Sequence, residues 1–333
     1  MRSKSSFSVA IAALGLLGVS VTTPSQAFPL TLTQAGIDLG FNLNTVISGL
    51  NGNTPSCCFV LGSAVNSAGQ IVLNDAGPNV NYLINNANNQ VGVAATLSSA
   101  PNPGFPTAIV NAGGTLYASG SALRRLTNAG ATDPTFNSNG ISVSAGMWTN
   151  TVNQHIIAVG SFSGGSGLLD IDVSGPLPTA RLINHAGSDG VTVSPDGTVV
   201  YTNSAAYLIS DGSLVASYSV GGADGMGVIQ SNNALNGNLI ISTSSVGTLV
   251  MLDPDDNFLQ TVIASGGGYG DFTSPDFTTG TLLISSGDSL LRLGCGAGCG
   301  VGAAPVIVGV PEPESLLLMM AGLMGFLWSR RRR

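Results

Sequence analysis

Two neighbouring stretches of this chain repeat the same order of short strands and tight turns, and this repetition constrains the fold most. The first stretch, residues 188–222, has four runs of strand-forming residues separated by Asp-Gly or Gly-rich turns, which are typical hairpin connections. The second begins at Asp224 and has the same order. Comparable units begin near Cys57, Gly104, Met147 and Tyr269, so successive units start about 35 to 47 residues apart. This spacing predicts blades of four strands each.

Six such units predict an all-β fold, a six-bladed β-propeller over residues 57–300. The abundance of Gly, Ser, Asn and Thr also favours short strands and turns over helices. The last unit lacks a fourth strand, and we expect a strand at Leu43–Ile47, in a lead-in over residues 28–56, to complete it. Residues 301–310 are expected to form a linker. A β-solenoid or two stacked β-sandwiches are the alternative folds.

The N-terminal residues 1–27 have the pattern of a secretory signal peptide. Arg2 and Lys4 precede an apolar run over residues 9–19, and Ser25-Gln26-Ala27 supplies small residues at the positions that a signal peptidase recognises. We therefore expect cleavage after Ala27, and an exported protein that begins at Phe28.

The last 23 residues form a second pattern. Pro311, Glu312 and Pro313 precede an uncharged apolar run over residues 316–328, and the cluster Arg330, Arg331, Arg332 and Arg333 ends the chain. The thirteen residues of the run would span only about 20 Å as a helix, less than the roughly 30 Å hydrocarbon core of a membrane. The arginines would hold the C-terminus on the cytoplasmic side, so everything before the apolar run would lie outside the inner membrane.

This order of parts resembles the PEP-CTERM sorting signal of Gram-negative bacteria. The resemblance implies that residues 311–333 are a transient transmembrane helix with its recognition motif, and that a membrane-embedded exosortase cuts near Pro311-Glu312-Pro313. It also implies export to the cell surface or to an extracellular matrix rich in exopolysaccharide. The alternative is an ordinary C-terminal anchor that stays uncut.

Removing both terminal signals reveals a strongly acidic body. Residues 28–310 contain four arginines against fifteen aspartates, a formal net charge of −11, and no Lys or Glu. An acidic surface without a basic stripe argues against nucleic acid and anionic lipid as partners. The acidic side chains are all short, which suits turns, helix caps and cation ligands.

Four cysteines flank the predicted blades, Cys57 and Cys58 before the first, and Cys295 and Cys299 after the last. In an exported protein such cysteines favour disulfides. A closed ring would bring its two ends together, so we expect a bond from Cys57 or Cys58 to Cys295 or Cys299. Such a bond would stabilise the fold by about 4 kcal/mol in the chain-entropy treatment. The alternative is a four-thiolate zinc site, which two adjacent cysteines fit poorly.

Residues 188–201 and 223–228 are similar to successive blades of the gluconolactonase and senescence-marker family of six-bladed propellers, over residues 188–264 in all. The resemblance implies that Asp189 and Asp224, each before a Gly on an innermost strand, hold a divalent cation in the central channel. Asp271, at the start of the next blade, is the third candidate ligand. Convergent carboxylates suit calcium. The alternative is that Asp189 and Asp224 bond backbone amides at the start of those strands.

Two departures from that family concern the activity. The mature region has no Glu to match the ligand of the family's first blade, and Asp189 replaces an Asn. No G-x-S-x-G elbow occurs, and the two histidines, His155 and His185, are too few and too scattered for a metal cluster or a Ser-His-Asp arrangement. We therefore expect a non-catalytic surface protein with a binding or structural role, whose partner is an exopolysaccharide or another surface protein. A calcium-dependent, lactonase-like hydrolase is the alternative.

Overall fold

A computed structural model describes residues 30–50, 60–102, 108–244, 247–267 and 270–295. The predicted signal peptide, the sorting tail with its apolar run, and Cys57, Cys58 and Cys299 lie outside these residues. Within the described ranges there is one α-helix, α1 (Gln34–Asp38), and no helix is long and apolar enough to cross a membrane.

Apart from two short 3-10 helices, Val93–Ala95 and Pro254–Asp256, the rest of the regular structure is β, as the composition predicts. The strands, in chain order, are β1 (Thr31–Leu32), β2 (Phe41–Ser48), β3 (Val60–Val65), β4 (Ile71–Asp75), β5 (Val80–Ile84), β6 (Gln90–Val91), β7 (Ser98–Pro101), β8 (Ile109–Ala112), β9 (Thr115–Ala118), β10 (Arg124–Leu126), β11 (Ser142–Thr149), β12 (Ile156–Phe162), β13 (Gly165–Asp172), β14 (Thr179–Asn184), β15 (Val191–Val193), β16 (Val199–Thr202), β17 (Ala205–Leu208), β18 (Leu214–Ser217), β19 (Ala223–Val228), β20 (Leu239–Thr243), β21 (Leu249–Asp253), β22 (Leu259–Ser265), β23 (Gly270–Asp276), β24 (Thr281–Ser286) and β25 (Ser289–Cys295).

These strands form six sheets, and the predicted six-bladed propeller is confirmed. In order around the ring the blades are β3-β4-β5-β7, β8-β9-β10, β11-β12-β13-β14, β15-β16-β17-β18, β19-β20-β21-β22 with β1 at its outer edge, and β23-β24-β25-β2 with β6 at its outer edge. Neighbouring strands within each blade are antiparallel. The second blade has three named strands in the described part of the chain, and an isolated bridge between Leu126 and Thr132 continues its outer edge.

The first strand of each blade lies innermost, and the six innermost strands contact one another around a central channel. Their contacts include a hydrogen bond from the Thr149 hydroxyl to the Asn111 carbonyl (2.9 Å), one from the Gly146 amide to the Asp189 carbonyl (2.7 Å), and one between the hydroxyls of Ser63 and Ser274 (3.1 Å). The last of these joins the first blade to the sixth. Because the chain returns along the outer part of each blade to the side on which that blade began, all six innermost strands begin at the same end of the channel, which we call the channel mouth.

The third blade begins earlier than its repeat unit predicts. Its innermost strand starts at Ser142 rather than near Met147, and its pairing with β12 shifts register between Val143 and Met147. Such a β-bulge adds residues to one strand only, so spacing in the sequence misplaces the start of the strand.

The lead-in closes the ring. Strand β2 pairs antiparallel with β25 along its length, from Phe41 opposite Cys295 to Ile47 opposite Leu290, and so becomes the outer strand of the sixth blade. Strand β6, which the chain reaches only after passing through the first blade, then pairs parallel with β2. The sixth blade therefore contains strands from both ends of the propeller.

A buried ion pair lies at the same closure. The Arg292 guanidinium on β25 is 3.5 Å from the Asp276 carboxylate and also donates hydrogen bonds to the side-chain oxygens of Asn86 and Asn88. The Asn86 amide donates in turn to Asp276 (2.9 Å). Because Asp276 is inaccessible to solvent and Arg292 nearly so, these contacts hold the first blade to the sixth in a setting where leaving either charge unpaired would be costly.

Candidate functional site

Two acidic side chains lie near each other at the channel mouth, on the fourth and fifth blades. Asp189 lies two residues before β15, and Asp224 is the second residue of β19. Both positions follow a connection that crosses from the outer edge of one blade to the innermost strand of the next. The repeat therefore places equivalent residues of successive blades side by side.

The Asn203 side chain holds these two connections together. Its oxygen accepts from the Gly190 backbone amide (2.9 Å), and its side-chain amide donates to the Ala223 carbonyl (2.8 Å). A Cβ atom added at Gly190 would lie 2.0 Å from the Asp224 carbonyl oxygen. Glycine is therefore required at this position by the close approach of the neighbouring backbone.

Burial and charge act together on Asp224. Its side chain is half-buried, and its pKa is raised to about 6. Burial is the larger cause of this rise, and the nearby charge of Asp189 is the second. A hydrogen bond with the Ser244 hydroxyl opposes this shift in part. Asp189 is exposed to solvent. At neutral pH the Asp224 carboxylate is therefore ionised at an energetic cost.

The third predicted ligand, Asp271, is the second residue of β23 and so lies in the corresponding position of the sixth blade, but its side chain is outside the described part of the structure. Among the described residues no group of three or more His, Cys, Asp or Glu side chains could hold a metal ion. Calcium takes six to eight oxygen ligands, and two carboxylates supply only a minority of them. The described residues therefore do not by themselves form a complete calcium site, and the metal assignment of Asp189, Asp224 and Asp271 stays a prediction.

The histidines contact groups on the third blade. His155 Nδ1 is 2.7 Å from a carboxylate oxygen of Asp170, whose other oxygen accepts from Arg181 (2.9 Å). His185 Nδ1 is 3.0 Å from the Ser166 carbonyl oxygen. Sequence reasoning missed the His155–Asp170 pair, although His155 directly precedes β12, and the next residue, Ile156, pairs with Ile171 across the hairpin.

Cys295 is the last residue of β25 and is disulfide-bonded. The other three cysteines lie outside the described ranges, so the bond from Cys57 or Cys58 to Cys295 or Cys299 stays a prediction.

Comparison with known proteins explains the C-terminal tail. Residues 309–333 match the PEP-CTERM protein-sorting motif. This motif is processed by exosortase and implies an exported protein that is transiently anchored in the membrane before surface display. No curated protein is significantly similar to this chain in sequence.

Solved structures share the propeller. A gluconolactonase from Xanthomonas campestris is 15% identical with a TM-score of 0.54, over 81% of this chain and 96% of its own. The calcium-binding protein regucalcin from Agrobacterium tumefaciens is 11% identical with a TM-score of 0.53, over 79% of this chain and 98% of its own. A luciferin-regenerating enzyme is 10% identical with a TM-score of 0.55, over 80% of this chain and 98% of its own. At these identities the likeness shows a common fold of the gluconolactonase and regucalcin type.

Proposed function

We propose that this protein is a non-catalytic binding component of the bacterial cell surface, and that its ligand-binding site is the channel mouth at Asp189 and Asp224. The observation that carries the proposal is the placement of these two carboxylates on adjacent blades, with Asp224 half-buried and its pKa raised. A cation, or a cationic group of a larger ligand, would relieve the repulsion that burial strengthens. Neither histidine contacts the two aspartates, so the described residues offer no imidazole base beside them.

The setting of this function follows from the two terminal signals. Signal peptidase removes residues 1–27, and exosortase cuts near Pro311-Glu312-Pro313 after residues 316–328 have held the chain at the inner membrane. The acidic body, with its net charge of −11 over residues 28–310, then resides at the surface or in the extracellular matrix of a Gram-negative bacterium. Its partner there is an exopolysaccharide or another surface protein, and calcium is the simplest cation for the mouth.

Calorimetric titration of the exported protein with calcium chloride tests the binding site. We expect saturable binding that Asp224→Asn weakens at least tenfold, because the half-buried carboxylate is removed with little change in shape. Asp211→Asn is the matched control: Asp211 lies in the β17–β18 turn, where its carboxylate bonds the Ser213 amide and hydroxyl, and the change should leave calcium binding intact. Equal binding by the wild type and Asp224→Asn would overturn the assignment of the mouth.

A calcium-dependent lactonase-like hydrolase is the second candidate, favoured by the same pair of aspartates and by the shared fold. A lactone-hydrolysis assay on the exported protein, with calcium present, separates the two functions. Binding without turnover above that of Asp224→Asn supports the non-catalytic proposal. Turnover that Asp224→Asn abolishes and Asp211→Asn preserves would establish the hydrolase instead.

A further inference from the structure

A histidine and three charged side chains lie together on the outer strands of the third blade. His155 directly precedes β12, and Asp170 and Asp172 lie near the end of β13. Arg181 on β14 is the cross-strand neighbour of Asp170. We propose that His155 and Asp172 bind a divalent first-row transition metal ion such as Zn²⁺, with water completing its coordination.

The pairing of β12 with β13 brings these side chains together. His155 precedes Ile156, which pairs with Ile171, so the histidine lies beside the two aspartates that flank Ile171. Asp170 and Asp172 project from the same face of β13, because side chains alternate along a strand. A site built on neighbouring strands is held more precisely than a site on a loop.

The contacts of Asp170 leave one ring nitrogen of His155 available. Asp170 Oδ1 lies 2.7 Å from His155 Nδ1, and Asp170 Oδ2 accepts a hydrogen bond from Arg181 (2.9 Å). A carboxylate only accepts, so the neutral imidazole carries its proton on Nδ1 and has a free lone pair on Nε2. Metal-binding histidines are commonly oriented by a carboxylate on the other ring nitrogen in this way.

Asp172 supplies the second ligand. Its Oδ1 lies 3.8 Å from His155 Nε2, which is too long for a hydrogen bond. Two ligand atoms on one tetrahedral zinc ion are about 3.3 Å apart, so a small rotation of either side chain lets both bind the same ion. The Ser174 amide (2.8 Å) and hydroxyl (2.7 Å) donate to Oδ1, and among the described residues no hydrogen bond reaches Oδ2.

Exposure and charge both suit a cation at this position. The side chains of His155 and Asp172 are 27% and 40% exposed, so an ion with its water ligands has room. Two carboxylates and one guanidinium, beside a neutral imidazole, give the group a formal charge of 1 − 2 = −1. An imidazole nitrogen with a carboxylate oxygen favours Zn²⁺ and its neighbours over calcium, which takes oxygen ligands. Because the protein supplies two ligands, fewer than in a structural zinc site, we expect the ion to exchange with solvent.

His185 is a natural control in the same blade. Its Nδ1 lies 3.0 Å from the Ser166 carbonyl oxygen, so its Nε2 is also left available. Among the described residues, however, the ion pairs that involve a histidine are those of His155 alone. The two histidines therefore differ in the carboxylate that would act as second ligand, and the chain contains no others.

Titration of the exported protein with zinc chloride, followed through the imidazole ring protons by NMR, tests the site. Because the chain has two histidines, each ring can be assigned by its absence from His155→Gln or His185→Gln. We expect zinc to shift the resonances of His155 in a saturable way and to leave those of His185 unchanged. Shifts of His185 alone, equal shifts of both histidines, or no shift of either would overturn the proposal.

Three variants test the assigned ligands in the same titration. Asp172→Asn should weaken zinc binding at His155 by on the order of tenfold or more, because it removes the carboxylate ligand. Asp170→Asn should weaken it about tenfold, through its hold on the imidazole. Thermal unfolding without zinc shows that each variant is folded. Affinity at His155 that is unchanged in Asp172→Asn would contradict the assignment.

Asp224→Asn separates this site from the one proposed at the channel mouth. Strand β11 begins at the mouth and β12 runs antiparallel to it, so His155 lies at the opposite end of the propeller. Asp224→Asn should therefore leave the zinc-induced shifts of His155 unchanged, whatever the mouth binds. Loss of those shifts in Asp224→Asn would contradict a separate site on the third blade.

Discussion

Protonation of Asp224 couples the channel mouth to stability. Its pKa in the folded protein is about 6, above the ordinary value of 3.8, so the folded state binds this proton more tightly than the unfolded chain does. The stabilisation that comes from this tighter proton binding is therefore complete below about pH 4 and is lost as the pH rises from about 4 to 6. At neutral pH the ionised carboxylate destabilises the ligand-free protein.

Asp224→Asn should therefore stabilise the protein at pH 7, by on the order of 1–2 kcal/mol after allowance for partial exposure, and change stability little at pH 4. Urea unfolding of the two proteins at both pH values measures the difference. If Asp224→Asn is no more stable than the wild type at pH 7, the ionised Asp224 carboxylate does not destabilise the folded protein as proposed.

Asp211→Asn should act in the opposite direction. Hydrogen bonds from the Ser213 amide and hydroxyl lower the pKa of Asp211, so its ionised form stabilises the turn above the ordinary pKa, and this contribution is lost as the pH falls. We expect a small loss of stability at pH 7, measured in the same urea experiments. A gain at pH 7 would contradict the assigned role of these short acidic side chains as turn caps.

Gly190→Ala should destabilise the fold by about 3 kcal/mol, because the new methyl group would overlap the Asp224 carbonyl on the next blade. Gly187→Ala, three residues earlier, is the matched control, since nothing lies within 4 Å of its added Cβ. Denaturant midpoints of the two variants should differ clearly, and equal midpoints would show that the fourth and fifth blades are not in close contact here.

At the scale of elements, the closure of the ring contains an ion pair that is buried on both sides, whereas the other ion pairs among the described residues are partly exposed. Arg292→Met should cost about 3 kcal/mol, because it leaves the Asp276 carboxylate buried without its cation. Arg125→Met is the control: its ion pair with Asp133 lies within the second blade and is partly exposed on both sides, and such pairs contribute about 0–1 kcal/mol. Guanidinium unfolding measures the stability of both variants. Hydrogen exchange of the native proteins in β2 and β6 reports whether the closure itself is weakened. Similar losses in the two variants would contradict a special role for the closure.

The blade strands could be predicted because they are short and apolar and are bounded by turns with a recognisable residue pattern. The turn at Pro195-Asp196-Gly197 is an example: Asp196 accepts from the Thr198 amide (3.1 Å), and Gly197 has a positive φ of 76°. Strand β6 could not be predicted in this way. It is two residues long, and its partner β2 is distant in sequence, so no local pattern reports the pairing.

For the candidate site, the repeat indicated that Asp189 and Asp224 occupy equivalent positions of successive blades, and in the structure the charge of Asp189 acts on Asp224. Their role as ligands stays a prediction. The raised pKa of Asp224 depends on burial by neighbouring blades, which the sequence does not express. The His155–Asp170 pair likewise depends on the register of one hairpin.

For the whole molecule, the position of the propeller in the chain is compatible with cleavage at both ends during export. A propeller with a strand of the lead-in built into its last blade needs residues 41–48 to fold, so the predicted cut after Ala27 leaves the closure intact. The sorting motif begins 14 residues after Cys295, the last residue of β25, so a cut within the motif would remove none of the described strands. The processing proposed at both ends would therefore leave the described ring intact.

Intact mass of the protein recovered from the cell surface tests the exported, surface-displayed state most directly. The account predicts a chain that begins at Phe28 and ends near Pro311-Glu312-Pro313, without the apolar run of residues 316–328. A mass that still includes Arg330, Arg331, Arg332 and Arg333 would contradict it, because the tail would then be a permanent anchor.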